Sequence, residues 1–124
     1  METSLSTNPV LLARGEIWLV NLDPTVGSEI KKTRPAVIVS SDALGKLPIK
    51  LIAPVTEWKD HFKGSIWHIR IDPDPRNGLS KNSSIDVLQL RGVDASRFIK
   101  KIGSIPSPVI EEVVAAIAAV VEYQ

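Results

Sequence analysis

Cysteine is missing from all 124 positions of the chain, which removes disulfides, thiolate nucleophiles and zinc–thiolate centres together. A surplus of charge is missing as well, since 15 Lys and Arg face 14 Asp and Glu for a formal net charge of +1. Coating of nucleic acid by bulk positive charge is therefore excluded, and any polyanion site has to be a local patch. The longest strongly apolar run, Val113 to Val121, is far shorter than the roughly 20 residues that span a bilayer. No basic segment precedes Val10-Leu11-Leu12, so the pattern of a secretory leader is lacking and a cytosolic protein is expected. Histidine is scarce: His61 sits in a polar connection after Lys59-Asp60, and His68 is seven positions further on. That spacing makes neither a metal set nor a dyad of the two, so both are set aside. P-loop, dinucleotide and Ser-His-Asp signatures are absent, and neither a metal nor a cofactor is expected.

What remains is enough for one core, with 44% hydrophobic residues in 13.5 kDa. Residues 1 to about 13 are polar and aperiodic and read as a mobile lead-in, with a single domain over 14–124. Short runs rich in Ile, Val, Leu and Trp alternate with Pro, Gly, Asp and Asn, the pattern of a mainly β domain. Six strands are predicted: Glu16 to Leu22, Ala36 to Ser41, Ile49 to Thr56, Ser65 to Ile71, Ile85 to Arg91 and Phe98 to Ile105. In the fourth, alternation sets Trp67, Ile69 and Ile71 on one face and Ile66, His68 and Arg70 on the other. Trp18 and Trp67 are accordingly read as core. Asp72-Pro73-Asp74-Pro75 reads as a rigid turn, because each Pro drives its predecessor out of the helical region.

A helix is predicted from Ser107, as N-cap with Pro108 at the first helical position, to about Glu122. Ile110, Val113, Val114, Ile117, Val120 and Val121 keep helical spacing. Ala115, Ala116, Ala118 and Ala119 leave the rest of its surface small and apolar, suited to the barrel and to a partner subunit. Between the first two strands, Asp23 to Thr33 is about eleven residues long where a hairpin needs two to five. It carries Gly27, Ser28, Glu29, Lys31 and Lys32 and ends on Arg34-Pro35, which marks it as functional.

Arg14-Gly15-Glu16-Ile17-Trp18, Asp23-Pro24-Thr25-Val26-Gly27-Ser28-Glu29, and Lys32-Thr33-Arg34-Pro35-Ala36-Val37-Ile38-Val39 follow one another in a series that resembles the MazF/PemK family. Pro54-Val55-Thr56 and Gln89-Leu90-Arg91-Gly92-Val93-Asp94 extend the resemblance toward the C-terminus. The order of motifs is more specific than any one of them. It implies an SH3-like antiparallel barrel with a C-terminal helix, a homodimer, and sequence-selective, metal-independent cleavage of single-stranded RNA to 2′,3′-cyclic phosphate and 5′-hydroxyl ends. It also implies a cognate antitoxin whose acidic segment fills the RNA groove.

The resemblance makes Arg34 and Thr56 the essential residues. A guanidinium offers planar donors to a phosphorane and stays charged at any workable pH; a Thr hydroxyl suits an oxyanion-hole donor. Glu29 is a candidate general base or a group that orients Arg34, against its reading as a solvated loop charge. Gly27 and Ser28 allow close backbone approach or serve turn geometry alone; Lys31 and Lys32 neutralise phosphates or are bystanders. Trp58, just beyond Thr56, is placed to flank the groove. Asp86 departs from the resemblance, standing where relatives often carry an apolar residue. Two alternatives of other classes are a gyrase-poisoning toxin of the CcdB type on the same barrel and an SH3-like peptide adaptor.

Overall fold

The fold is that of a computed structural model, which describes residues 11–123. The lead-in expected over 1–13 lies mostly outside the described residues; at its end Leu12 packs on an apolar cluster. Seven strands form one bent antiparallel sheet: β1 (Glu16–Asn21), β2 (Thr33–Ile38), β3 (Ile49–Glu57), β4 (His68–Ile71), β5 (Ser83–Asp86), β6 (Arg91–Asp94) and β7 (Phe98–Ser104). Their order is β4-β5-β3-β2-β1-β7, with β6 also on β3. The sheet is open and barrel-like, as the resemblance implied, and is drawn together where the β4–β5 connection meets β7. There Ser104 N–H donates to Arg76 O at 3.0 Å. A Cβ on Gly103 would lie 2.3 Å from the Asn77 carbonyl carbon, and one on Gly78, at φ +68°, would lie 2.0 Å from Ile102 O. Both glycines are required by that approach.

Alternation divides the side chains in two. Odd-numbered Ile17, Val37, Ala53, Val55, Ile71 and Ile85 join Ile110 and Val113 of α1 (Ser107–Val120) in one buried cluster. Even-numbered Trp18, Val20, Ala36, Ile38 and Ile52 form a second, capped by Leu12, Ile30 and Phe98. Each fully buried aliphatic side chain contributes about 1.5–3 kcal/mol relative to exposure. Among the described residues, no helix is long and apolar enough to cross a membrane.

Two prolines shape the end of β3 that matters. Val39 N–H donates to Leu51 O, so odd residues of β2 aim their backbone groups at β3. Pro35 belongs to that set and has no N–H, and the β2–β3 ladder stops at Ala36↔Pro54. Even residues of β3 aim at the opposite edge, where Pro54 in turn lacks a donor. On that edge Val55 pairs with Ile85 and Ile52 with Arg91, so Asp86 to Leu90 stand against only Ala53 and Pro54. The surplus is taken up by a 3₁₀ turn, Val87–Gln89.

The single strand expected over Ile85 to Arg91 is thus two strands and a turn, which brings six to seven. The fourth strand begins at His68 rather than Ser65, and Trp67, expected in the core, is 37% exposed. It precedes the strand, so the alternation that placed it inward does not reach it. Helix α1 begins one residue off expectation: Pro106 holds the N-cap position without a side-chain cap, and Ser107 is already helical. Pro106 O accepts from Val109 and Ile110 N–H, while Pro108 has no donor to orphan.

Candidate active site

Arg34 stands at the start of β2, where the Asp23–Lys32 loop re-enters the sheet. The loop is closed by its own backbone: Leu22 N–H donates to Lys32 O at 3.0 Å, and Lys32 N–H donates to Asp23 Oδ1 at 3.0 Å. Lys32 takes φ 71° to make that turn. Arg34 Nε donates to Lys31 O at 3.2 Å, which leaves its exposed guanidinium one-sidedly held. Continuing the β2–β3 register past Pro35 sets Arg34 across from Thr56, on the same even-numbered face and about one strand spacing, roughly 5 Å, away. The loss of ladder bonds at Pro35 frees the mouth between the two strands. The two residues singled out from the sequence thus stand at the ends of adjacent strands, just past the last paired residues Ala36 and Pro54.

Glu29 is exposed in the loop. Its carboxylate accepts from Val26 N–H at 2.8 Å, pinning the loop tip to itself, and no ion pair with Arg34 exists among the described residues. Gly27 sits at φ +60° with open space where a Cβ would be, so turn geometry accounts for it. Ser28 and Glu29 line a cleft of about 480 Å³ with Ile30, Pro54, Leu88, Gln89, Leu90 and Arg91. Of β3 only Pro54 lines the cleft, two residues before Thr56 on the same face. Lys31 and Lys32 are exposed in the same loop. Trp58, just past the end of β3, is half-buried, with the Arg70 guanidinium 5.3 Å above its ring and Phe62 edge-on at 5.7 Å.

Around this site the structure gives contacts to Gln89, which the sequence offered only within a motif, to Ser84, which it did not single out, and to His68, which was set aside. Gln89 clamps the loop, its Oε1 accepting from Ile30 N–H at 2.9 Å and its Nε2 donating to Ser28 O at 3.0 Å. The Gln89-Leu90-Arg91-Gly92 motif was the available signal. Ser84 is fully buried and lies directly across from Thr56. Its Oγ shares a 2.8 Å hydrogen bond with Nδ1 of His68.

His68 faces Asp86 across the β4–β5 ladder and stacks on Phe62 with ring centroids 3.6 Å apart. Burial holds the His68 imidazole below the ordinary histidine range, helped by His61 and opposed by the Asp86 charge. Asp86, whose environment the sequence left open, is buried. Its carboxyl is pushed up by desolvation, against the pull of His68 and the N–H groups of Leu88 and Gln89.

An exposed guanidinium and a strand-end hydroxyl near a cleft lined by Pro54 and the Gln89 amide can meet the oxygens of a phosphodiester. Among the described residues no three His, Asp or Glu side chains gather as a metal set. The sequence pattern of the PemK-like, MazF-like toxins of type II toxin–antitoxin systems matches residues 13–121. The chain belongs to the PemK/MazF toxin family. Among its relatives, the endoribonuclease MazF9 of Mycobacterium tuberculosis is 31% identical over 77% of this chain and 83% of its own. The solved structure of MazF from Deinococcus radiodurans superposes with a TM-score of 0.76 at 22% identity, covering 92% of this chain and 99% of that one. MazF in a MazE–MazF structure from the same organism gives 0.68 at 21%, over 90% and 97%. This PemK/MazF barrel thus keeps its fold at low identity, with Arg34 and Thr56 at the open end of the β2–β3 ladder.

Proposed function

We propose that this PemK/MazF-family protein is an endoribonuclease toxin that cleaves single-stranded RNA without a metal ion. The observation that carries the reading is the Arg34–Thr56 juxtaposition at the mouth between β2 and β3, beside the cleft. In-line attack of a ribose 2′-hydroxyl on its own phosphate passes through a dianionic phosphorane. Arg34 stabilises that charge, and the Thr56 hydroxyl donates to a nonbridging oxygen. Products are a 2′,3′-cyclic phosphate and a 5′-hydroxyl. Lys31 and Lys32 neutralise flanking phosphates, Gly27 and Ser28 bring the loop backbone to the strand, and Trp58 stacks a base. Glu29 acts in this reading by holding the loop tip that it already closes.

Activity in the cytoplasm is held in check by a cognate antitoxin whose extended acidic segment occupies the same cleft, matching its charge. A homodimer is supported by Leu47, Ile49 and Leu51, exposed in a row along and beside β3 where α1 does not cover the sheet. The gyrase-poison and adaptor alternatives are set aside by the family match. The test is incubation of purified protein with mixed-sequence RNA in EDTA, with mapping of the cut ends. Cleavage to 5′-hydroxyl ends is expected, abolished in Arg34→Ala with the circular dichroism spectrum unchanged. Strict dependence on added divalent metal would refute the mechanism.

A further inference from the structure

The peptide between Lys31 and Lys32 is held from both sides. Its N–H, on Lys32, donates to Asp23 Oδ1 at 3.0 Å, and its C=O, on Lys31, accepts from Arg34 Nε at 3.2 Å. In a planar trans peptide these two groups point in opposite directions and cannot turn independently. Asp23 and Arg34 are therefore joined through one rigid plate. Lys32 takes φ 71°, a conformation that an L residue rarely keeps without support from outside. The following peptide is fixed as well, since Lys32 O accepts from Leu22 N–H. Asp23 in turn is anchored through its backbone. Arg97 Nη1 donates to Asn21 O and Asp23 O, and Arg91 Nη1 donates to Leu22 O at 3.1 Å, so two arginines grip the base of the loop. They take carbonyl oxygens and leave the Asp23 carboxylate to Lys32 N–H and, at 3.5 Å, the Thr25 hydroxyl. Among the described residues neither terminal nitrogen of Arg34 has a hydrogen-bond partner, which leaves the fork of the guanidinium open.

We propose that Asp23 is a positioning residue for Arg34, acting through the Lys31–Lys32 peptide. By fixing that plate it fixes the direction of the Arg34 Nε–H bond, and with it the plane in which the terminal nitrogens meet a phosphate. The inference rests on the endoribonuclease reading above and deepens it. A long, exposed arginine side chain has many rotamers, and a charge that must meet a transition state gains from being held before the substrate arrives. Asp23 touches neither the phosphate nor a reacting proton in this assignment. What it supplies is a hydrogen-bond acceptor at one place, which the amide oxygen of asparagine supplies equally. That equivalence separates a positioning role from a proton-transferring one, for which the carboxylate itself would be needed.

The test compares the wild type with Asp23→Ala and Asp23→Asn. In single-turnover cleavage of an RNA oligonucleotide spanning a mapped cut site, Asp23→Ala should lower the rate at saturating protein by about 3- to 10-fold, the worth of one hydrogen bond. The half-saturating protein concentration should stay within twofold. Asp23→Asn should cleave within twofold of wild type. A second arm needs no RNA. Amide exchange at Lys32 should accelerate by about the same 3- to 10-fold in Asp23→Ala and hold in Asp23→Asn. In NMR spectra the Arg34 Nε–H resonance should move in Asp23→Ala alone, while amides of the β1–β7 ladder stay in place in both variants. Asp23→Asn as slow as Asp23→Ala, or an Arg34 Nε–H resonance unmoved in Asp23→Ala, overturns the assignment. If the wild type cuts and Asp23→Ala matches it, only this inference falls. If the wild type cuts no RNA, the endoribonuclease reading falls, and the Lys32 and Arg34 signals still decide whether Asp23 holds the guanidinium.

Discussion

Gln89→Ala removes the two hydrogen bonds by which its side chain holds Ser28 and Ile30 of the Asp23–Lys32 loop. One leaves the part-buried Ile30 N–H without its acceptor, and the other leaves Ser28 O exposed to solvent. A side-chain hydrogen bond contributes about 0.5–1.5 kcal/mol net, and an orphaned buried donor costs about 1–3 kcal/mol. Together the closed loop should lose about 2–3 kcal/mol, or roughly 30- to 150-fold in its closing equilibrium. Amide hydrogen exchange reads this directly, because Ile30 N–H is protected by Gln89 itself. Its exchange should accelerate by that factor, while amides of the β1–β7 ladder stay as they were. Gln89→Glu keeps the acceptor and loses the donor, so Ile30 should remain protected while the Ser28 side loosens. Cleavage should fall in Gln89→Ala because Arg34 is delivered by the same loop. Exchange at Ile30 within threefold of wild type would refute the clamp.

Thr56→Ala should lower single-turnover cleavage by about 10²-fold or more, as loss of an oxyanion donor does, and Thr56→Ser should recover most of it. Equal rates for the two variants would remove the hydroxyl from the mechanism. Gly103→Ala drives a Cβ into the Asn77 carbonyl and should lower Tm by on the order of 10 °C in a calorimetric scan. Gly27→Ala, with open space around it, should cost far less. The pH dependence of stability has two arms of opposite sign. Asp86 is raised above its ordinary 3.8, so the stability it carries is full below that value and is lost as pH rises through the folded-state value. His68 is lowered from 6.5, so its share is full above 6.5 and is lost as pH falls through the folded-state value. Asp86→Asn keeps an acceptor for Leu88 N–H and should match or exceed wild-type stability at pH 7 in urea titration. A clear loss there, with none at pH 3.5, would contradict that account.

The strands whose apolar residues alternate over their whole length, β1 and most of β3, were legible to within a residue or two, and so was α1 with its Ile110–Val113 stripe. What the sequence hid was set by tertiary pairing. The break between β5 and β6 depends on Pro54 facing that edge of β3, and the orientation of a proline in a ladder cannot be read before the register is known. Trp67 looked like core because alternation was extended one turn of the pattern too far. Arg34 and Thr56 were reached through the motif series, while their place at the ends of neighbouring strands depends on the β2–β3 register. His68 and Ser84 are sixteen positions apart, with no local pattern linking them. Glu29 is close to Arg34 in sequence, while in the structure one of its carboxylate oxygens accepts from Val26 N–H within the loop.

The odd–even division of the sheet has an evolutionary meaning. Each strand reports to two independent selections, the odd positions to burial against α1 and the even positions, toward the open end, to whatever occupies the cleft. Even positions there can be exchanged without disturbing a single contact of the helix-covered core. Asp86 sits between two odd-numbered core residues, Ile85 and Val87, without joining their cluster. Chains built this way can diverge in chemistry and target preference while their architecture stays fixed, since drift on one side of a strand leaves the other unaltered.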